Sequence, residues 1–145
     1  MDKEREEKIV LLVRSKHVQF DKEKLIAYIV DKKEHYATLL NTSIGLLYSA
    51  HDVVKFDPKN NEVISILSKG TKPFGGMVLD NLTNYDVDAV FAEIKDYFDY
   101  YCCQIEHLFK KYFVIATPLN MSMEKFDEIV SKCIYKIKIG IREEE

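Results

Sequence analysis

Residues 21–41, DKEKLIAYIVDKKEHYATLLN, decide how the rest of the chain is read. Leu25, Ile26, Ile29, Lys33, Tyr36, Ala37 and Leu40 recur at 3.6-residue spacing, which predicts one helix over about 21 to 41. Its outer face would carry Lys24, Asp31, Glu34 and Thr38, while Lys33 would run its stem along the apolar stripe with the amine in water.

Working outward, Lys8-Ile-Val-Leu-Leu-Val-Arg14 is a short apolar run with β-branched residues and reads as a strand buried on both faces. A helix is the rival reading, because acidic residues precede the run and Arg14, Lys16 and His17 follow it. On the other side, residues 42–50 fit either further helical turns or the start of a strand. Val53-Val-Lys-Phe56 and Glu62-Val-Ile-Ser-Ile-Leu67 flank Asp57-Pro-Lys-Asn-Asn61, a hairpin signal in which proline presets the turn and asparagine tolerates positive φ. Gly70-Thr-Lys-Pro-Phe-Gly-Gly76 holds three of the five glycines and predicts an exposed, mobile connector ahead of a short strand at Met77–Leu79.

The longest expected element is a helix over about Val87 to Phe113, whose apolar face includes Val90, Phe91, Ile94, Phe98, Cys102, Ile105 and Phe109. A short strand at Val114–Ala116, a helix capped by Ser122, and an alternating strand from Tyr135 to Ile141 with outward lysines complete the chain. This order is compatible with a single α+β domain spanning residues 1–145, a ferredoxin-like βαββαβ sandwich with an added C-terminal helix and strand.

Composition bounds the function. Acidic residues number 24 against 21 basic ones, and the net charge of −3 offers no global attraction to phosphate. Arginine, the better residue for bidentate phosphate contacts, occurs only at 5, 14 and 142. The longest apolar run, Ile9 to Val13, cannot span a bilayer, so no membrane partner is expected. The charged N-terminus lacks the apolar core of a signal peptide and the three cysteines do not form a disulfide framework, so a reduced, cytoplasmic protein is expected.

Candidate chemistry is sparse. Cys102, Cys103, His107 and Cys133 offer sulfur and nitrogen donors, but adjacent residues on a helix diverge by about 100° and no CxxC pair exists, so neither a metal nor a cofactor is expected. Cys103 and His107 would lie within reach on one helix, yet a mid-helix thiol lacks the dipole that activates a nucleophile. Arg14 and His17 could serve a phosphodiesterase or nuclease but lack a third partner. Lys69 and Lys72 with Phe74, Gly75 and Gly76 mark a loop for a ligand or partner, although no phosphate-binding glycine motif is matched.

The residues therefore favour a noncatalytic protein-interaction module that self-associates. Its expected dimer contact is the second face of the long helix, where Ala92, Tyr100, Cys103 and His107 would mix small and amphipathic side chains. The alternatives are a nucleic-acid-binding protein, with or without nuclease activity, and a nucleotide or small-molecule-binding enzyme.

Overall fold

The computed structural model describes residues 7–13, 23–44, 46–82 and 86–140. Arg14, Lys16 and His17, the start of the expected helix at 21, and the acidic tail lie outside the described residues. The chain divides into two compact units, residues 1–71 and 72–145.

In the first unit, β1 (Lys8–Val13), β2 (Glu23–Asp31), β3 (Tyr36–Leu39), β4 (Val53–Asp57) and β5 (Glu62–Ser68) form a closed barrel. Successive strands pair antiparallel, and β5 closes on β1 in parallel at Leu12 opposite Glu62. Five strands that reverse at every turn leave the first and last running the same way, so closure has to be parallel. Strand periodicity sends Leu11, Val13, Leu25, Ala27, Ala37, Leu39, Val54 and Phe56 inward. Ala27 lies opposite Leu39 and Ala37 opposite Ile29, so small residues face large ones across the narrow interior.

The ferredoxin-like sandwich is thereby overturned, because its expected first strand, first helix and hairpin are all strands of one barrel. The helical spacing at 21–41 was coincidental: Leu25, Ala27 and Ile29 point inward while Ile26 and Val30 are apolar residues on the outer face of the same strand. The reversal between β2 and β3 uses neither glycine nor proline. His35 takes φ 65°, and the Asp31 carboxylate accepts the N–H groups of Lys33 and Glu34, each at 3.0 Å. The hairpin at 53–67 is found, with Phe56 opposite Val63, Asn61 at φ 60° and the Asn61 N–H donating to the Asp57 carbonyl at 2.7 Å.

β6 (Thr71–Val78) starts on the last residue of the first unit and continues into the second, which also holds α1 (Val87–Tyr100), β7 (Gln104–Phe109), β8 (Tyr112–Pro118), α2 (Met123–Ser131) and β9 (Ile137–Gly140). The sheet order is β7-β8-β6-β9. One core joins Val78, Ile105, Phe113 and Ile115 of the sheet to Val90, Phe91, Ile94 and Phe98 of α1 and Phe126 and Ile129 of α2. Asp86 and Ser122 cap the two helices by accepting backbone N–H groups of the first turn.

The helix expected to reach Phe113 stops at Tyr100. Cys103 N–H donates to the Phe98 carbonyl and Cys102 N–H to that of Asp99, each at 3.0 Å, with Cys102 at φ 64°. That is a Schellman ending in which cysteine occupies the left-handed position usually taken by glycine. Cys103 and Phe98 share the core, the apolar contact that accompanies this motif. The connector expected at 70–76 is also corrected, since residues 71–78 form β6. No described glycine has positive φ. Gly76 is needed for packing: a Cβ there would lie 2.5 Å from the Phe113 ring. No helix among the described residues is long and apolar enough to cross a membrane.

Candidate functional site

The residues expected to form one loop are split by the fold. Lys69 Nζ is held 2.6 Å from the Asp52 carboxylate, and Lys72 Nζ donates to the Met121 carbonyl at 2.9 Å. Phe74 stacks on Phe126 with ring centroids 5.3 Å apart, on the helix-covered face of the sheet. Gly75 and Gly76 alone of the five line a cleft, of about 220 Å³, together with Met77, Tyr112, Lys138 and Gly140. Gly75 and Gly140 are direct cross-strand partners, as are Met77 and Lys138. Neither glycine puts a side chain over the floor, and a Cβ at Gly140 would meet nothing nearer than the Gly75 carbonyl oxygen at 3.7 Å. Gly140 is therefore not a steric necessity, unlike Gly76. Tyr112 and Lys138, both exposed, supply the cleft with an aromatic ring and a cation.

The expected interface on one long helix is taken apart by the Schellman turn. Ala92 and Tyr100 remain exposed on α1, Tyr100 at 81%. Cys103 is fully buried in the core, so the contact assigned to it is withdrawn. His107 moves to β7, where its ring stacks on Phe91 at 4.0 Å and Nε2 donates to the Lys110 carbonyl at 2.8 Å. The Cys103–His107 nucleophile fails as well, because burial pushes the Cys103 thiol up to about 11, with a smaller contribution from Cys102, so the thiolate is scarce at neutral pH. Among the described residues, no three His, Cys, Asp or Glu converge on a point that could hold a metal ion.

A second cluster was invisible in the sequence. Asp52 is fully buried, and its carboxylate accepts from Ser49 N–H at 2.9 Å, Ser49 Oγ at 3.1 Å, Gly70 N–H at 2.8 Å and Lys69 Nζ at 2.6 Å. Lys69 Nζ also reaches Ser49 Oγ at 3.0 Å, the pairing a serine-lysine hydrolase would use. Ser49, however, is fully buried, and its hydroxyl lies 3.1 Å from the Thr71 carbonyl as well as from Asp52. No substrate carbonyl could approach it. The cluster is a clamp that pins the loop before β4 to the end of β5, and Gly70 fits there because a Cβ would lie 2.1 Å from the His51 carbonyl oxygen.

No protein-family model matches this chain, and no curated protein matches it. Among solved structures, one described as a novel crystal structure of a hypothetical protein from Neisseria gonorrhoeae is similar to it, with a TM-score of 0.56 over 92% of each chain and 14% sequence identity. At that identity the likeness is one of fold alone.

Proposed function

We propose that this protein is a noncatalytic protein-interaction module of the cytoplasm that associates with a second copy of itself. The supporting observation is an apolar stripe on the outside of the barrel. Val10 of β1 lies directly opposite Ile26 of β2, and Val30 continues the same face, at 49%, 43% and 56% exposure. Tyr28 lies between Ile26 and Val30, with the Lys8 amine 5.7 Å from its ring centroid, giving the stripe an amphipathic margin. Adjacent exposed aliphatics on a folded surface mark an association site more often than scattered ones do. Sedimentation equilibrium at micromolar concentration is the test. A dimer mass that falls to 17.0 kDa in Ile26→Lys supports the reading. A monomer at every accessible concentration rejects it.

A second reading, single-stranded nucleic acid, is favoured by Tyr112 and Lys138 sharing the sheet cleft, since an exposed ring beside a cation suits base stacking and phosphate contact. Its mark would be salt-dependent binding of an oligonucleotide that weakens in Tyr112→Ala.

A further inference from the structure

The register of β6 against β9 determines which backbone groups of the sheet edge are free. Leu79 N–H donates to the Lys136 carbonyl at 2.7 Å. This bond belongs to the same register as Met77 opposite Lys138 and Gly75 opposite Gly140, so these are the hydrogen-bonded pairs of the ladder. By alternation, the N–H and C=O groups of Ile137 and Ile139 point away from β6. Because β9 ends the sheet order among the described residues, they form its outer edge.

Both faces beside that edge are incomplete. Ile137 and Ile139 pack against the core yet remain half-buried. Ile134, three residues upstream, is 81% exposed. On the opposite face, Lys136 and Lys138 are exposed, and Gly140 opens directly onto the glycine floor in front of Tyr112. Edge lysines by themselves are a common guard against aggregation. That role does not explain a bare glycine floor running inward from the edge, nor an isoleucine exposed at the mouth of the strand.

We propose that β9 is a docking edge for an extended strand of a partner protein whose residues alternate between apolar and charged, with an aromatic residue opposite Gly140 and acidic residues opposite Lys138 and Lys136. In an antiparallel addition, backbone bonds form to Ile137 and Ile139, and apolar side chains complete the cover over both isoleucines. The acidic side chains meet the two lysines. The aromatic ring lies across Gly140 and Gly75 toward Tyr112, in the way a cross-strand aromatic covers an edge glycine. This proposal is independent of the barrel stripe.

The probe is an acetylated, amidated hexapeptide, Phe-Val-Glu-Val-Glu-Val, titrated into isotopically labelled full-length protein. Slowed exchange is expected at the amides of Ile137 and Ile139, with at least tenfold weaker binding when both glutamates are lysine. A peptide N-methylated on the edge-facing amides should lose binding without any change to the protein. Gly140→Val, whose Cβ would make only ordinary contact, 3.7 Å from the Gly75 carbonyl oxygen, should cost the phenylalanine peptide about tenfold while leaving its alanine analogue nearly unaffected. The proposal is overturned if the glutamate and lysine peptides bind alike, if exchange slows elsewhere but not at Ile137 and Ile139, or if oligothymidylate protects this edge and the peptide does not. Protection of the edge by concentrated protein alone, with a dimer mass, would assign it to a second copy and also overturn the proposal.

Discussion

In the barrel, β5 closes on β1, and the outer faces of β1 and β2 carry Val10, Ile26 and Val30; in the second unit, β9 ends an open sheet, and the exposed residues along it are Lys136, Lys138 and Gly140. A closed barrel offers no unpaired ladder for another chain to extend, so its outside can tolerate valine and isoleucine. An open edge needs charge to discourage indiscriminate pairing, and the same charge selects which strand is welcome. The interiors differ in a related way. Thr42, Ser43, Ser49, Asp52 and Thr71 are buried in the barrel unit, against Thr117 in the second unit among the described residues. The barrel unit secures its long loop with a hydrogen-bonded clamp, whereas the open sheet relies on aromatic packing under two helices.

Proline substitution should break this comparison most visibly. Ala27 of β2 lies between Ile9 of β1 and Leu39 of β3, and since Ile29 N–H donates to the Glu7 carbonyl in the same β1–β2 register, the Ala27 N–H is bonded into the ladder with Ile9. Ala27→Pro should cost more than about 3 kcal/mol in a denaturant titration. Ile139 carries its N–H on the open edge, so Ile139→Pro should cost little more than Ile139→Ala. Equal penalties at Ala27 and Ile139, after correction for the lost isoleucine side chain, would mean that β9 is not a free edge.

The clamp is the next test. Asp52→Ala would leave two backbone N–H groups without their acceptor and the partly exposed Lys69 amine without its counter-ion, while the Ser49 hydroxyl would keep the Thr71 carbonyl. A loss of about 3 kcal/mol is expected, because removing one partner of a buried pair strands the other. Asp52→Asn, which keeps an acceptor but not the charge, should lose less. Identical losses would show that the charge, not the shape or an acceptor oxygen alone, holds the loop.

In the open-sheet unit the corresponding probe is Cys103. Its thiol is pushed up to about 11 by burial, so the folded state holds the proton longer than the unfolded chain, whose thiols ionise near the ordinary value of about 8.5. Below that value both states are protonated and stability is complete. As pH rises toward 11 the unfolded state binds fewer protons, and stability should fall by an amount on the order of 2 kcal/mol. Chemical denaturation at several alkaline pH values, compared with Cys103→Ala, isolates this slope from the ionisation of tyrosine and lysine. An unchanged slope in the variant would contradict the assigned burial.

How much of this was legible follows from which residues mark the breaks. The hairpin at 53–67 was readable because Pro58 and Asn61 are residues whose backbone preferences announce a turn. The capping role of Ser122 was visible for the same reason. The barrel was not legible: β2 is apolar on both faces, so its alternation was hidden, and His35 makes the reversal that glycine usually makes. At the cleft, Gly75 and Gly76 were singled out for turning when their use lies in packing and in an open floor. Tyr112, Lys138 and Gly140 were missed, because only the sheet order brings β8 and β9 to the two sides of β6. The signal that could have helped was Gly140, a glycine inside an alternating strand pattern.

The two disguised breaks also yield the smallest predicted effects. Cys102 and His35 both sit near φ 65° in positions where a side chain costs up to about 1 kcal/mol relative to glycine. Cys102 is exposed, and its replacement gives up little packing, so Cys102→Gly should stabilise the protein by about 0.5 to 1 kcal/mol. His35 is half-buried, with its ring edge-on to Phe56 at 5.8 Å across the barrel's β2–β3 turn. His35→Gly surrenders that contact, worth about 0.5 to 1.5 kcal/mol for an aromatic pair, and should leave stability nearly unchanged. Paired urea titrations of the two variants would sharpen the comparison between units. A gain at His35 as large as that at Cys102 would mean the ring contact contributes nothing. A loss at Cys102 would mean that its side chain supports the helix ending in a way its exposure does not suggest.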